Sequence, residues 1–382
     1  MNILVLEFIT SVGGVQTVYK NILPHLAEEH NIYFLDPYNN DYVKEIKKIS
    51  KIEVIDLQIY SKSALGWHGT IGNKIAIILK YGFKYAFYLA KLIKLIKKKK
   101  IDLLYVSGRK EIIFAYIISK ILGTKYVYHC HGFNSYKDIS VLYRWFIENS
   151  KMVIAVSRSV QKTLIQAGIA EEIIQIIYNG LNLELARNKC TELQSYVNRD
   201  FKVLFVGAIQ KNKGIHILIK AVNILLRQGM MISLDIVGEV TNKANIKYKR
   251  ELLKLSQEVG SERISFLGFQ SNVYDFINKA SVLVLPSVEE SFGMVLIEAM
   301  YMSKPVIGSN IGGIPEVIDD GVSGFLFEPK NEFDLANKIC LLYNDDGLCK
   351  RMGLNGNRRV DDMFTCQIQA EKILNVISKC AK

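Results

Sequence analysis

Short apolar runs alternate with longer stretches of helical spacing along the whole chain. Residues 3–6, 32–35, 52–57, 103–106, 126–129, 153–156 and 173–177 read as strands in the first half. Residues 203–206, 234–237, 264–267, 282–285, 305–307 and 325–327 repeat the scheme in the second. Two βαβ series in tandem predict an α/β fold of two doubly wound, parallel, Rossmann-like sheets. A chain of 382 residues is too long for one ordinary core, which agrees with two domains. The expected divisions are a first domain over 1–182, a polar linker over 183–199, a second domain over 200–362, and a helical stretch over 363–382 that crosses back to the first domain.

In open α/β sheets, ligands bind beyond the carboxyl ends of the strands. Gly13-Gly14, His131-Gly132, Gly207 to Gly214, Gly238-Glu239, Glu290 to Gly293 and Gly312-Gly313 all occupy such ends. Singly, each reads as a turn, a surface lysine or a satisfied polar group. Together they predict one large anionic ligand in a cleft between two facing domains.

The junction over 286–300 is the most specific of these places. Pro286 ends an apolar strand, and the apolar spacing of a packed helix starts at Met294. The amides of Phe292, Gly293 and Met294 are then expected at a helix N-terminus, at the positive end of its dipole, where phosphate binds. Glu290 and Glu298 stand eight apart. On one helix they would be separated by about 12 Å along its axis, beyond the ~5 Å or ~6.5–9.5 Å carboxyl pairs that hydrolyse glycosides. They therefore read as ligands for hydroxyl groups, or as a dipole-side charge and a solvated helix residue.

Composition and charge narrow the class. Hydrophobic residues at 49% and charged residues at 23% describe a folded, soluble-type protein. The N-terminal apolar run is short and lacks a basic lead, and no uncharged run approaches the ~20 residues of a membrane span. Cysteines 130, 190, 340, 349, 366 and 380 form no C-x-x-C pair, which points to a reduced cytoplasm without a zinc or disulfide frame. Of the net charge of +12, residues 1–185 carry +9 (24 Lys+Arg, 15 Asp+Glu). Lys80, Lys84, Lys91, Lys94 and Lys98 share a narrow helical arc with Phe87 among them, and Lys97 to Lys100 close the segment. Such an arc is either a solvated face or a surface for anionic lipid, where each lysine contributes about 1 kcal/mol. Nucleic acid is not expected, because no stacking-aromatic module accompanies the charge.

The motifs resemble those of the retaining glycosyltransferases of family 4, which have the GT-B fold, over nearly the whole chain. Phe205-Val206-Gly207-Ala208-Ile209-Gln210-Lys211-Asn212-Lys213-Gly214 is similar to the family's F-V-G-R-L-x-x-x-K-G loop. Leu234 to Gly238, Phe266-Leu267-Gly268, the E-x7-E block, Pro305-Val306-Ile307 and Gly312-Gly313-Ile314-Pro315-Glu316 follow in the family's order. The resemblance implies a cytoplasmic enzyme, peripheral at the inner face of the membrane. It would move a sugar from a UDP- or GDP-sugar to a glycan or lipid-linked acceptor held by the first domain. It implies Lys213 on the diphosphate and Glu298 on the ribose, with Glu290 and the backbone of Phe292, Gly293, Met294 and Val295 on the donor sugar and β-phosphate. His131 would lie beside the reacting sugar, and Gly14 would approach the diphosphate; Gly207, Gly238 and Gly268 complete the donor loops. No metal or other cofactor is implied, and no D-x-D is present: Asp319-Asp320 and Asp345-Asp346 are adjacent pairs in turns. Three departures stand out. Ala208 replaces the loop arginine, for which Lys211 is the candidate substitute. Tyr178 replaces the proline of the family's P-N-G, and Asn182 replaces an aspartate. A non-catalytic binding subunit and a hydrolysing epimerase on the same fold are the competing readings, and oligomeric state is left open.

Overall fold

The computed structural model describes residues 1–8, 14–38, 41–58, 71–132, 135–189, 201–258 and 261–381, side chains 41, 71–83, 188, 189, 261 and 381 excepted. The chain forms two compact units. One comprises residues 1–156, 161–177 and 369–382, and the other residues 157–160 and 178–368. The first division thus falls at 177, five residues before the expected 182, and the last helix, Cys366–Ala381, ends within the first unit.

Unit one is a seven-stranded parallel sheet built from β1 (Asn2–Leu6), β2 (Asn31–Asp36), β3 (Ile52–Asp56), β4 (Leu103–Val106), β5 (Lys125–Cys130), β6 (Met152–Ala155) and β7 (Ile174–Ile176). Their order is β3-β2-β1-β4-β5-β6-β7, so the winding reverses between β1 and β4. Both of those strands are buried on each face, as central strands of a helix-covered sheet must be, whereas β3 at the edge is partly exposed. Unit two is a six-stranded parallel sheet of β8 (Phe201–Val206), β9 (Ile232–Val237), β10 (Ile264–Gly268), β11 (Val282–Leu285), β12 (Val306–Ser309) and β13 (Phe325–Phe327). Its order, β10-β9-β8-β11-β12-β13, reverses between β8 and β11.

The basic segment is a 29-residue helix, Ile71–Lys99. Tyr88, Leu92 and Ile96, four apart, make its buried stripe, and Lys84, Lys91, Lys94 and Lys98 are exposed. The side chain of Lys80 lies outside the described residues. The stretch expected as a linker begins with a helix, Leu183–Lys189, and residues 190–200 lie outside the described residues.

Candidate active site

The reversal of each sheet leaves a crevice at the carboxyl ends of two neighbouring strands that wind in opposite directions. In unit two these strands are β8 and β11, and the loops that follow them are stitched together. Val288 N donates to the Asn212 carbonyl at 2.8 Å, and Lys213 Nζ donates to Glu290 Oε2 at 2.7 Å. Ser287 Oγ, fully buried, lies 3.3 Å from the same carboxylate oxygen, and Gly313 N donates to the Glu290 carbonyl at 3.0 Å. Glu290 is therefore fixed by its side chain on one flank and by its backbone on the other. Gly214, at φ 67°, allows the closest approach: a Cβ there would lie 1.8 Å from the Pro286 carbonyl oxygen. Only glycine combines that left-handed conformation with that proximity.

The remaining loops of the sheet join the same rim. Gly207 N donates to the Val237 carbonyl, Ile209 N to the Glu239 carbonyl, and Gly238 N to the Gly268 carbonyl, at 2.9, 3.0 and 2.8 Å. A Cβ on Gly238 would lie 1.9 Å from the Gly207 carbonyl oxygen, so these backbones pass with no room for a side chain. The helix Met294–Tyr301 opens at Gly293, which supplies no side-chain cap, so the amides of Met294 and Val295 have no side-chain oxygen of Gly293 to bind. A lysine ammonium and a positive helix terminus thus stand at one reversal point, an arrangement suited to a diphosphate.

The other expected donor residues divide by environment. Phe292 is 2% exposed and stacks on Tyr178 at 5.8 Å, with Phe364 edge-on at 5.7 Å, so its ring anchors the loop and only its backbone can face a ligand. Tyr178, atypical in sequence, is the stacking partner that braces this loop. Asn182 accepts from Leu185 N at 3.0 Å and caps the helix that follows. Glu298 is half-buried on the helix, while Glu290 precedes it, so the two acids do not share a helix. Lys211 is exposed, and its charge acts on His216.

In unit one the reversal lies between β1 and β4, and its chemistry differs. Glu7, at the end of β1, is 4% exposed; its Oε1 accepts from Gln16 Nε2 at 2.6 Å. Glu111, at the start of the helix after β4, is 2% exposed and accepts from Phe8 N at 2.5 Å and Lys110 N at 3.1 Å. Two neighbouring buried carboxyls do not both ionise readily. Burial, opposed by the Gln16 bond and reinforced by Glu111, pushes Glu7 up to about 8. Burial raises Glu111 as well, opposed by the amide donors, among them Phe8 N and Lys110 N. His131 packs against His129 with centroids 4.2 Å apart and the rings tilted by 33°, and the His129 Nδ1 lies 2.7 Å from the Tyr105 hydroxyl. Burial drives His131 down to about 4, so the imidazole is neutral at ordinary pH. Among the described residues, Glu7 Oε2 and the Nε2 atoms of His129 and His131 are buried without a hydrogen-bond partner. Gly14 is exposed at the first position of helix Gly14–Glu29; Gly13 lies outside the described residues.

Sequence reasoning missed Glu7, Gln16 and Glu111, and in unit two Ser287 and Asn212. Ser287 directly follows the strand-ending Pro286, which is a usable signal. An acid at the end of β1 has no pattern of its own, since its partner lies over a hundred residues away.

Two family models match this chain: "Glycosyltransferase Family 4" over residues 12–185 and "Glycosyl transferases group 1" over residues 194–359. The capsular polysaccharide biosynthesis glycosyltransferase CapM of Staphylococcus aureus is 31% identical over 230 residues, 58% of this chain and 60% of that protein. The N-acetyl-alpha-D-glucosaminyl L-malate synthase of Bacillus anthracis is 28% identical over 299 residues, 75% of this chain and 76% of that one. The chain thus spans less than two thirds of the length of the Staphylococcus relative. Among solved structures, the Anabaena protein HepE in complex with UDP superposes with a TM-score of 0.81 at 24% identity, over 99% of this chain and 100% of that one.

Proposed function

Since the chain belongs to the family 4 glycosyltransferases of the GT-B fold, we propose that it transfers a sugar from a nucleotide-sugar to a hydroxyl of a glycan or lipid-linked acceptor. The product would be a cell-surface polysaccharide or glycolipid. The observation that carries this reading is the Lys213–Glu290 pair, 2.7 Å apart where the winding of unit two reverses, in front of the helix that begins at Met294. UDP is the favoured nucleotide, because the Anabaena structural neighbour was solved with UDP; GDP is the alternative.

In this reading unit two holds the donor. Breaking the anomeric C–O bond transfers negative charge to the departing diphosphate. The Lys213 ammonium and the amides at Met294 and Val295 stabilise that charge more in the transition state than before it. Glu298 would bind ribose hydroxyls and Glu290 the donor sugar. Transfer would proceed with retention at the anomeric carbon and without a metal, the diphosphate charge being met by protein groups. Unit one would take the acceptor, with the neutral His131 as a hydrogen-bonding rather than a charged group, and its exposed lysines would hold the protein at an anionic, cytoplasmic membrane face.

Ala208 favours a second reading, a nucleotide-sugar-binding subunit without turnover, because it removes a fixed cation from the leaving-group site. Nucleotide diphosphate release from a panel of UDP- and GDP-sugars, with and without bacterial lipid extract as acceptor source, tests the two. Acceptor-stimulated release with an α-linked product supports transfer. Nucleotide binding without release supports the subunit reading. Release that ignores the extract and yields only free sugar contradicts both.

A further inference from the structure

In a water-soluble unit, the helix Val141–Glu148 should show one apolar stripe to the core and a polar face to solvent. It shows two apolar faces. Tyr143, Phe146 and Ile147 are buried, while Val141, Leu142 and Trp145 are 86%, 56% and 52% exposed. At about 100° per residue the exposed three span an arc of roughly 100°, on a different side from the buried three. They line an open groove of about 530 Å³ together with Arg144 and Glu148.

This face is held in place rather than loose. Ser140 caps the helix by accepting from Tyr143 N at 3.3 Å, and the Trp145 ring packs on Tyr116 with centroids 5.6 Å apart. Just before the helix, Tyr136 is 43% exposed. Tryptophan and tyrosine at the rim of an exposed aliphatic patch match the composition of membrane-interface belts.

The surroundings decide the occupant. The segment 135–151 contains two acids, and both are engaged: Asp138 accepts from Ser135 N, and Glu148 pairs with Arg144 at 2.8 Å. Helix Val141–Glu148 packs against helix Glu111–Leu122, which packs against helix Ile71–Lys99. Right-handed crossovers in one winding direction place these three helices on one side of the sheet. Each of them exposes a large apolar side chain, Trp145, Ile121 and Phe87, and the third adds the exposed Lys84, Lys91, Lys94 and Lys98. Apolar tips on a layer that also carries a lysine row complement an anionic bilayer, which offers negative headgroups above an apolar interior.

We propose that helix Val141–Glu148 is the inserting element of this unit, its Val141, Leu142 and Trp145 face entering the interfacial layer of an anionic membrane. The choice of occupant rests on the membrane reading above; the inserting helix is the new element. The lysines supply attraction at a distance, and the apolar tips supply depth.

The chain has two tryptophans, so a Trp67→Phe variant makes Trp145 the sole reporter. Its fluorescence is read with vesicles of phosphatidylcholine, with and without phosphatidylglycerol, carrying brominated acyl chains. The expected result is quenching of Trp145 by the anionic vesicles, reversed by salt. Leu142→Ser should lower partitioning about tenfold, the effect of one withheld aliphatic side chain, with UDP binding unchanged as the check on folding. Vesicle binding with Trp145 unquenched and Leu142→Ser silent overturns the inserting helix and leaves the lysine surface standing. No vesicle binding overturns both while leaving glycosyl transfer untouched. Concentration-dependent burial of Trp145 without vesicles, with dimers in sedimentation, overturns the proposal in favour of contact with a second copy.

Discussion

Glu290 and Glu7 both stand just beyond a central strand, yet their surroundings give them opposite roles. Glu290 accepts from the Lys213 ammonium, whereas Glu7 faces Gln16 and a second buried carboxyl. The folded-state pKa of Glu7, about 8, lies above its ordinary 4.5, so the native chain keeps a proton that the unfolded chain releases. Stability from this group is therefore fully present below about 4.5 and declines as pH rises toward about 8. Glu7→Gln, which mimics the protonated form, should flatten the fall of melting temperature over that window. A parallel fall in variant and wild type would show that Glu7 is not the titrating group. The placing of Lys213 and Glu290 on loops at strand ends was legible because a fixed spacing accompanies each. Glu7 was not, because its chemistry depends on Glu111, which only the pairing of β1 with β4 brings near.

The elements themselves were largely written in the apolar runs. The strand runs fall on β1 to β13, with ends differing by at most two residues, in part because a polar residue such as Asn31, Lys125 or Ser309 still pairs in the sheet. Helix Leu183–Lys189 was hidden because, among its described side chains, only Ala186 is buried, too brief a stripe to show a period. The close approach at Gly214 gives a prediction at this scale. Gly214→Ala must both adopt φ 67° and displace the Pro286 carbonyl, whereas Gly229→Ala, at φ 82°, meets nothing within 4 Å. The Gly229 variant should lose about 1 kcal/mol of stability, the left-handed penalty alone. The Gly214 variant should lose clearly more and also bind UDP poorly. Equal losses in denaturant titrations would mean that the two loops after β8 and β11 are not locked as described.

Over the whole chain, charge is distributed unevenly. Residues 1–185 carry +9 of the net +12, while the proposed diphosphate site lies in unit two. If unit one binds membrane and unit two binds the nucleotide as proposed, raising salt should release the protein from anionic vesicles well before it abolishes binding of UDP, since the Lys213–Glu290 pair of the proposed site is partly buried. Joint loss in one salt titration would argue against that division. The two-sheet architecture was legible from alternating runs alone. The identity of the acceptor was not, because it depends on pocket shape rather than on spacing.

In the proposed donor site, Lys213 and the helix that starts at Met294 together hold the diphosphate. Calorimetric titration of UDP into the wild type and Lys213→Ala is the decisive measurement. The expected result is a loss of roughly 10- to 100-fold in affinity, equivalent to one charge-assisted hydrogen bond of about 1.5–3 kcal/mol, with the melting temperature nearly unchanged. UDP affinity equal in the two proteins would contradict it.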